Sequence, residues 1–203
     1  MTQALVKKRA QRIIQSAVQL AEQGGFDAVR LRDVAADADV ALGTLYSHFR
    51  SKEALLVAAL EAEVARFETL MEQCPPMGET PLERATTFFG LASRALFMRP
   101  HFARAVLRSV ASGEPAVAEK VLRFHQRMGW LIVATLRGCP LTDEDRAALA
   151  GTREEEVGSL LQQVWFATLV GWMGGMHDGD TQIRKMASAT EIILAGLSSV
   201  EPA

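Results

Sequence analysis

The sequence predicts an all-α protein in which an N-terminal three-helix domain with a helix-turn-helix, residues 1–53, precedes a larger helical domain over residues 54–203. Three observations predict it. Apolar residues recur at i, i+3, i+4 and i+7 in one segment after another, the period that gathers them on one helix face. No segment alternates strictly with period 2 between hairpin turns. Gly24-Gly25, Pro75-Pro76 and Gly138-Cys139-Pro140 fall between the periodic segments, where helices have to stop. At 203 residues and 49% hydrophobic content the chain can bury a sizeable core. No apolar run approaches the ~18 residues of a spanning helix, so neither a membrane span nor a secretory signal is expected.

The first helix is expected from about Ala4 to Gln23, with Ile13, Ile14, Ala17, Val18, Leu20 and Ala21 on its apolar face. Gly24-Gly25 stops it, and Phe26 supplies the apolar contact that accompanies a glycine cap. Leu31, Val34, Ala35 and Ala38 then form the stripe of a short helix whose Arg32, Asp33 and Asp37 face away. Asp39 tolerates a left-handed backbone and can reverse the chain without a glycine, and Val40 can plug the angle that results. The next short helix, near Leu42 to Phe49, buries Leu45 and Phe49 and leaves Leu42, Gly43, Thr44, Tyr46, Ser47 and His48 exposed. Two short helices across a tight turn, directly before a longer one, suit the reading of a DNA major groove.

Ser51 caps the fourth helix, which runs to Cys74 before Pro75-Pro76. Thr80-Pro81-Leu82-Glu83 combines an N-cap, a first-turn proline and a capping-box glutamate, so a fifth helix starts there and ends before Arg99-Pro100. A short helix from Pro100 to about Val110 follows, then a longer one from about Pro115 to Arg137, and a short helix from Thr142 to Ala150. Thr152 with Glu155 reads as a second capping box, with Glu154, Glu155 and Glu156 in the first turn, where negative charge suits the helix dipole. Val157, Leu160, Leu161, Val164, Trp165, Thr168, Leu169, Trp172, Met173 and Met176 make the next helix apolar along one broad face. Asp180 caps the final helix, whose Ile183, Met186, Ala187, Thr190, Ile193, Leu194 and Leu197 form a similar face.

The formal net charge of −2 is unevenly spread: residues 1–60 hold 8 Lys/Arg against 6 Asp/Glu, and the acidic excess lies in the remainder. Lys7, Lys8, Arg9 and Arg12 cluster at the front, and Arg30, Arg32, Arg50 and Lys52 bracket the two short helices, where phosphates flanking a groove would lie. A solvated helix surface explains the same charges. Cys74 and Cys139 are too few for a disulfide framework, and a reducing cytoplasm is expected.

The run GTLYSHFRSKEALL and the three helices around it resemble the DNA-binding domain of the TetR family of bacterial transcriptional regulators, over about residues 9 to 57. The resemblance implies that the third helix enters the major groove of double-stranded operator DNA, with two subunits of a homodimer reading successive grooves. By position it implies that Arg32 opens helix two, that Leu42, Gly43 and Thr44 face the bases, and that Tyr46, His48 and Lys52 reach phosphates, with Ser47 beside them. The side chains suit these roles: Thr44, Tyr46 and His48 can donate to phosphate oxygens, Leu42 can touch a thymine methyl, and Gly43 admits close approach of the backbone. The chain departs from the family pattern at Asp39, Ala41 and Arg30, where glycine, serine and threonine are usual; the lost caps weaken the helix starts by about 1 kcal/mol each. ADVALGTLY and the late Val-Trp and Trp-Met pairs also resemble the branch that regulates cholesterol catabolism in actinobacteria. That likeness implies a repressor relieved by a small lipophilic effector such as a sterol- or fatty-acid-derived coenzyme A thioester.

Candidate pocket residues are Phe67, Met71, Phe88, Phe89, Phe102, Phe124, Met128, Trp165 and Leu169, since methionine and aromatic side chains line adaptable apolar cavities; taken residue by residue, ordinary core is the better reading of each. Candidate dimer-interface residues are Leu161, Thr168, Gly171, Trp172, Gly175, Ile183, Met186, Thr190 and Ile193, on two terminal helices whose broad faces suit a four-helix bundle about a two-fold axis, with intramolecular core as the other reading. The fourth helix, with Lys52 at one end and Met71 near the other, is the natural lever between effector and DNA. His101, His125, His177 and Asp178 lack metal-ligand spacing, no catalytic motif occurs, and no metal, cofactor or enzyme activity is expected. Two other functions fit the pattern: a multidrug-efflux repressor sensing diverse hydrophobic compounds, and an acyl-lipid carrier that binds no DNA.

Overall fold

The computed structural model describes residues 3–198, and among these the regular structure is entirely helical. The helices are α1 (Gln3–Ala28), α2 (Leu31–Asp37), α3 (Leu42–His48), α4 (Lys52–Gln73), α5 (Pro81–Phe97), α6 (Pro100–Val110), α7 (Ala118–Arg137), α8 (Asp143–Leu149), α9 (Arg153–Met173) and α10 (Gly179–Ser198). A single 3₁₀ turn, Pro115–Val117, leads into α7, so the helix expected from Pro115 begins three residues later. The chain divides into two compact units: residues up to Glu63 with Leu96–Val121, and Val64–Ala95 with the residues from Leu122 onward. α6 therefore belongs to the same unit as the three N-terminal helices.

In the first unit α1 packs on α6, and α2 packs on both α1 and α3. Ile13, Ala17 and Ala21 of α1, Val34 and Ala35 of α2, Leu45 of α3 and Phe102 and Val106 of α6 are all buried. α1 is broken where the two glycines fall: Gly24 leaves the helical range, and Gly25 takes φ 68° and ψ −156°, a combination open chiefly to glycine. Beyond the break the Phe26 ring has the Lys52 ammonium 3.8 Å and the Arg108 guanidinium 4.0 Å from its centre. Asp39 takes φ 51°, the left-handed turn expected of it. Arg99 joins Glu22 of α1 to Glu63 of α4 in one ion-pair network.

In the second unit α9 packs on α10 around Leu161, Trp165, Leu169 and Met186. α7 approaches α9 where two glycines meet: a Cβ built on Gly158 would come 2.6 Å from Val133 Cγ2 and 2.8 Å from the Gly129 carbonyl oxygen. The Arg137 guanidinium at the end of α7 donates to both oxygens of Glu154 in the first turn of α9, at 2.7 and 3.2 Å. That hydrogen-bonded pair holds the Glu154 carboxyl below its ordinary value.

Two of the four caps read from the sequence form as expected. The Ala54 N–H donates to Ser51 Oγ at 3.1 Å. Thr80 Oγ1 accepts from the Glu83 N–H at 3.2 Å, while the Glu83 carboxylate accepts from the N–H groups of Glu79 and Thr80. The Thr152–Glu155 box does not form. Thr152 Oγ1 instead donates back to the Leu149 carbonyl at 2.6 Å, and Glu155 accepts from the N–H of Gly151, one residue too early. The short link between α8 and α9 draws both side chains toward α8. A capping box does form at Thr142 with Asp145. The cap of α10 is Asp178 rather than Asp180, because Oδ1 of Asp178 accepts the Thr181 N–H at 2.8 Å and α10 begins at Gly179. Leu197, expected on the last apolar face, lies outside the described side chains.

Candidate nucleic-acid interface and effector cavity

α2 and α3 stand on either side of the Asp39 turn, with Leu45 and Phe49 anchoring α3 beneath. Burying those two residues fixes which face of α3 stays outward. Gly43, Tyr46 and Ser47 are exposed, Tyr46 at 49%, and Leu42, Thr44 and His48 are half-buried. Arg32 is exposed on α2. Ser47 Oγ donates to the Thr44 carbonyl at 2.7 Å, which engages its hydroxyl proton within the helix. A Cβ added at Gly43 would meet nothing within 4 Å, so the protein leaves open space over that stretch of backbone. Neither α2 nor α3 has a side-chain N-cap, as the residues Arg30 and Ala41 imply. Lys52 differs from the other candidates: its Nζ donates to the Phe26 carbonyl at 3.1 Å while lying over the Phe26 ring.

The second unit holds a cavity of about 530 Å³. α4 contributes Glu68, Met71 and Glu72; α7 contributes Arg123, Gln126, Arg127, Trp130, Leu131 and Ala134; Pro75, Pro76 and the Cys139–Leu141 loop close its sides. The walls thus combine apolar side chains with four arginines, Arg84, Arg123, Arg127 and Arg146, and two glutamates, Glu68 and Glu72. Arg127 forms a two-bond ion pair with Glu68. Arg84 is spent differently, donating to the carbonyls of Thr135 (3.0 Å), Leu136 (2.6 Å), Gly78 (3.3 Å) and Glu79 (3.0 Å).

Of the candidate pocket residues, Met71 lines this cavity, and Phe67, Phe88, Phe89, Phe102, Phe124, Met128, Trp165 and Leu169 do not. Phe67, Phe88, Phe89 and Trp165 pack on one another in a continuous series with centroids 5.3 to 6.2 Å apart, and Trp165 Nε1 donates to the buried Ser93 hydroxyl at 2.9 Å. Phe124, Met128 and Leu169 are fully packed core, and Phe102 lies in the first unit beneath the Arg99 guanidinium. Aromatic side chains bury a large area each, and these fill the centre, while Trp130 of α7 is the aromatic that lines the cavity. Arg84, which lines the cavity, has no local sequence signal, because two of its carbonyl partners lie 51 and 52 residues away.

Residues 13–59 match the family described as "Bacterial regulatory proteins, tetR family". The chain is 30% identical over 188 residues to the HTH-type transcriptional repressor KstR of Rhodococcus jostii (strain RHA1), covering 93% of this chain and 84% of that one. The chain belongs to the TetR family of transcriptional regulators. A TetR transcriptional regulator from Rhodococcus sp. RHA1 superposes with a TM-score of 0.78 at 25% identity, over 95% of this chain and 98% of that one. The Thermus thermophilus TetR-family repressor FadR, solved in complex with lauroyl-CoA, shares the fold with a TM-score of 0.71 at 20% identity, over 96% and 97%.

In this TetR-family chain the candidate dimer residues separate into two groups. Leu161, Gly171, Met186 and Thr190 are buried within the chain itself by the packing of α9 on α10. A Cβ on Gly171 would come 2.8 Å from His177 Nε2, so that glycine admits a loop of its own chain. Thr168, Trp172, Ile183 and Ile193 are half-buried, and Gly175 is exposed just beyond α9 at φ 75°. Leu160 and Ile192, exposed at 42% and 72%, are the apolar residues these helices present outward. Among the described residues no helix is long and apolar enough to cross a membrane, and no group of three metal-ligating side chains occurs.

Proposed function

We propose that this TetR-family protein is a homodimeric repressor that binds double-stranded operator DNA through α3 and is released by a lipophilic effector, such as a sterol- or fatty-acid-derived coenzyme A thioester. The observation that carries the effector reading is the 530 Å³ cavity, whose lining joins apolar side chains to four arginines against two glutamates, an excess of positive charge that suits an apolar body joined to an anionic head. The relationship to KstR and the lauroyl-CoA complex of FadR support it. Residues 1–53 carry the DNA-binding part and the rest of the chain carries effector binding and dimerisation. Arg32, Leu42, Gly43, Thr44, Tyr46, Ser47, His48 and Lys52 meet the DNA. The two α3 helices of a dimer read half-sites about 34 Å apart. Thr168, Trp172, Ile183, Ile193, Leu160 and Ile192 form the dimer face, since these keep surface outside their own chain.

α4 carries both Lys52 and Met71 and is the lever between effector and DNA. By linkage, an effector that weakens DNA binding ~100-fold must itself prefer the released form ~100-fold, about 2.7 kcal/mol of differential affinity. The test is fluorescence anisotropy of the protein on its own upstream DNA, titrated with acyl- and steroid-CoA thioesters and, separately, with unrelated hydrophobic cations and dyes. Release by thioesters alone supports the reading. Release by many unrelated cations makes the protein a multidrug sensor, and no DNA shift at any salt concentration overturns the repressor function itself.

A further inference from the structure

The four arginines that line the 530 Å³ cavity are unequally engaged. Arg84 gives four N–H donors to backbone carbonyls, and Arg127 is held by both carboxylate oxygens of Glu68. Arg123 is not free either. Arg146 of α8 differs: its charge partner is Asp143, 3.9 Å away and fully exposed. That distance is too long for a hydrogen bond. Among the described residues the five donors of Arg146 therefore stay uncommitted, while its side chain, 49% exposed, lines the cavity.

The surrounding charge is uneven as well. The carboxylates on the lining, Glu68 and Glu72, both come from α4. The Gly138–Leu141 loop is flanked by cations instead. A Cβ built on Gly138 would come 3.1 Å from Arg84 Nε, and Arg146 stands in the helix that follows the loop. Asp143, Glu144 and Asp145 precede Arg146 but do not line the cavity, and Asp145 accepts from the Thr142 N–H and hydroxyl. The lining is thus acidic along α4 and basic beside the loop.

We propose that Arg146 holds the oxyanion of the effector, a carboxylate or a phosphate, through two parallel N–H donors; this rests on the reading of the cavity as the effector site. Arg146 can turn its fork to an anion without breaking a hydrogen bond, whereas Arg127 would have to leave Glu68 with its carboxylate unpaired. The α4 carboxylates repel the same anion. The effector therefore lies with its head beside Arg146 and its apolar body along Met71, Trp130 and Leu131.

The experiment is isothermal titration calorimetry of the full chain with octyl phosphate, octanoate and the neutral 1-octanol. The proteins are wild type, Arg146→Gln, Arg146→Lys and Arg153→Gln, the last replacing an exposed arginine that does not line the cavity. Wild type binds one or both anions saturably, and the anion whose binding Arg146→Gln weakens names the head group. That loss is roughly tenfold, equivalent to about 1.4 kcal/mol, with less than about a twofold change for 1-octanol. Arg146→Lys keeps the charge without the planar fork and falls in between, and Arg153→Gln binds as wild type does. Anion binding unchanged by Arg146→Gln, or binding of 1-octanol alone, overturns the proposal and leaves the cavity standing as the effector site. An equal loss for 1-octanol marks a structural role for Arg146, and an equal loss in Arg153→Gln marks overall charge; either overturns the proposal too. No saturable binding of any of the three to wild type overturns the proposal and the effector reading together.

Discussion

Gly43→Ala separates what α3 does for the fold from what it does for DNA. In the free protein the added methyl meets nothing within 4 Å, and alanine is the better helix former, so α3 gains about 0.5–1 kcal/mol. For a chain of this size that raises the melting temperature by roughly 1–4 °C. On the operator the sign reverses. If the backbone at Gly43 abuts a base edge or sugar, one methyl in a close-packed contact costs about 1–3 kcal/mol, a loss of roughly 5- to 150-fold in affinity. The assay is a pair of measurements on one preparation: a thermal melt without DNA, and anisotropy on labelled operator at fixed salt. A higher melting temperature with unchanged DNA affinity would refute the assignment of this face of α3 to the groove. A lower melting temperature would refute the packing argument instead.

Tyr46→Phe and Thr44→Ala remove hydroxyls from α3, and each should weaken operator binding by about 1 kcal/mol while moving the melting temperature by no more than ~2 °C, checked by gel shift and melt. Gly158→Ala forces a methyl to within 2.6 Å of Val133 Cγ2 and 2.8 Å of the Gly129 carbonyl; it should destabilise by about 1–3 kcal/mol in a urea titration. Asp178 is held below the usual carboxylate range by the Thr181 hydroxyl and N–H, and Asp145 by the Thr142 N–H and hydroxyl. Their contributions are therefore full above the unfolded carboxylate value and are lost as pH falls through the lowered folded one. The stability gap between wild type and Asp178→Ala should accordingly shrink on acidification from neutrality to about pH 3, read by chemical denaturation.

The helices were legible because their signals are local. Gly24-Gly25, the Thr80 to Glu83 box and the Asp39 turn are each decided by residues within a few positions, and each appears where the sequence puts it. Family membership was legible for the same reason, in one short run of recognition-helix residues. The misread caps show the limit. Threonine three residues before glutamate promises a box at Thr152, but the hydroxyl finds the Leu149 carbonyl first, and Asp178 captures the Thr181 N–H before Asp180 comes into play. Periodicity states which face of a helix is buried, never against what. Leu161 and Met186 could therefore be read as interface when their own chain covers them, and Phe88 and Trp165 as cavity wall when they fill the centre. The cavity itself depends on arginines meeting groups 51 to 59 residues distant, which no local pattern encodes.

Arg84 has a consequence for whatever enters the cavity. Its guanidinium has five N–H donors, and four of them are committed to backbone carbonyls from two separate stretches of chain. Hydrogen bonding to carbonyls uses up direction but not charge. The cavity wall thus keeps a fixed positive potential there while being nearly unable to chelate. An anion entering the cavity would be drawn toward Arg84 without being gripped by it, so discrimination among anions would fall to the other lining side chains, the carboxylates of Glu68 and Glu72 included.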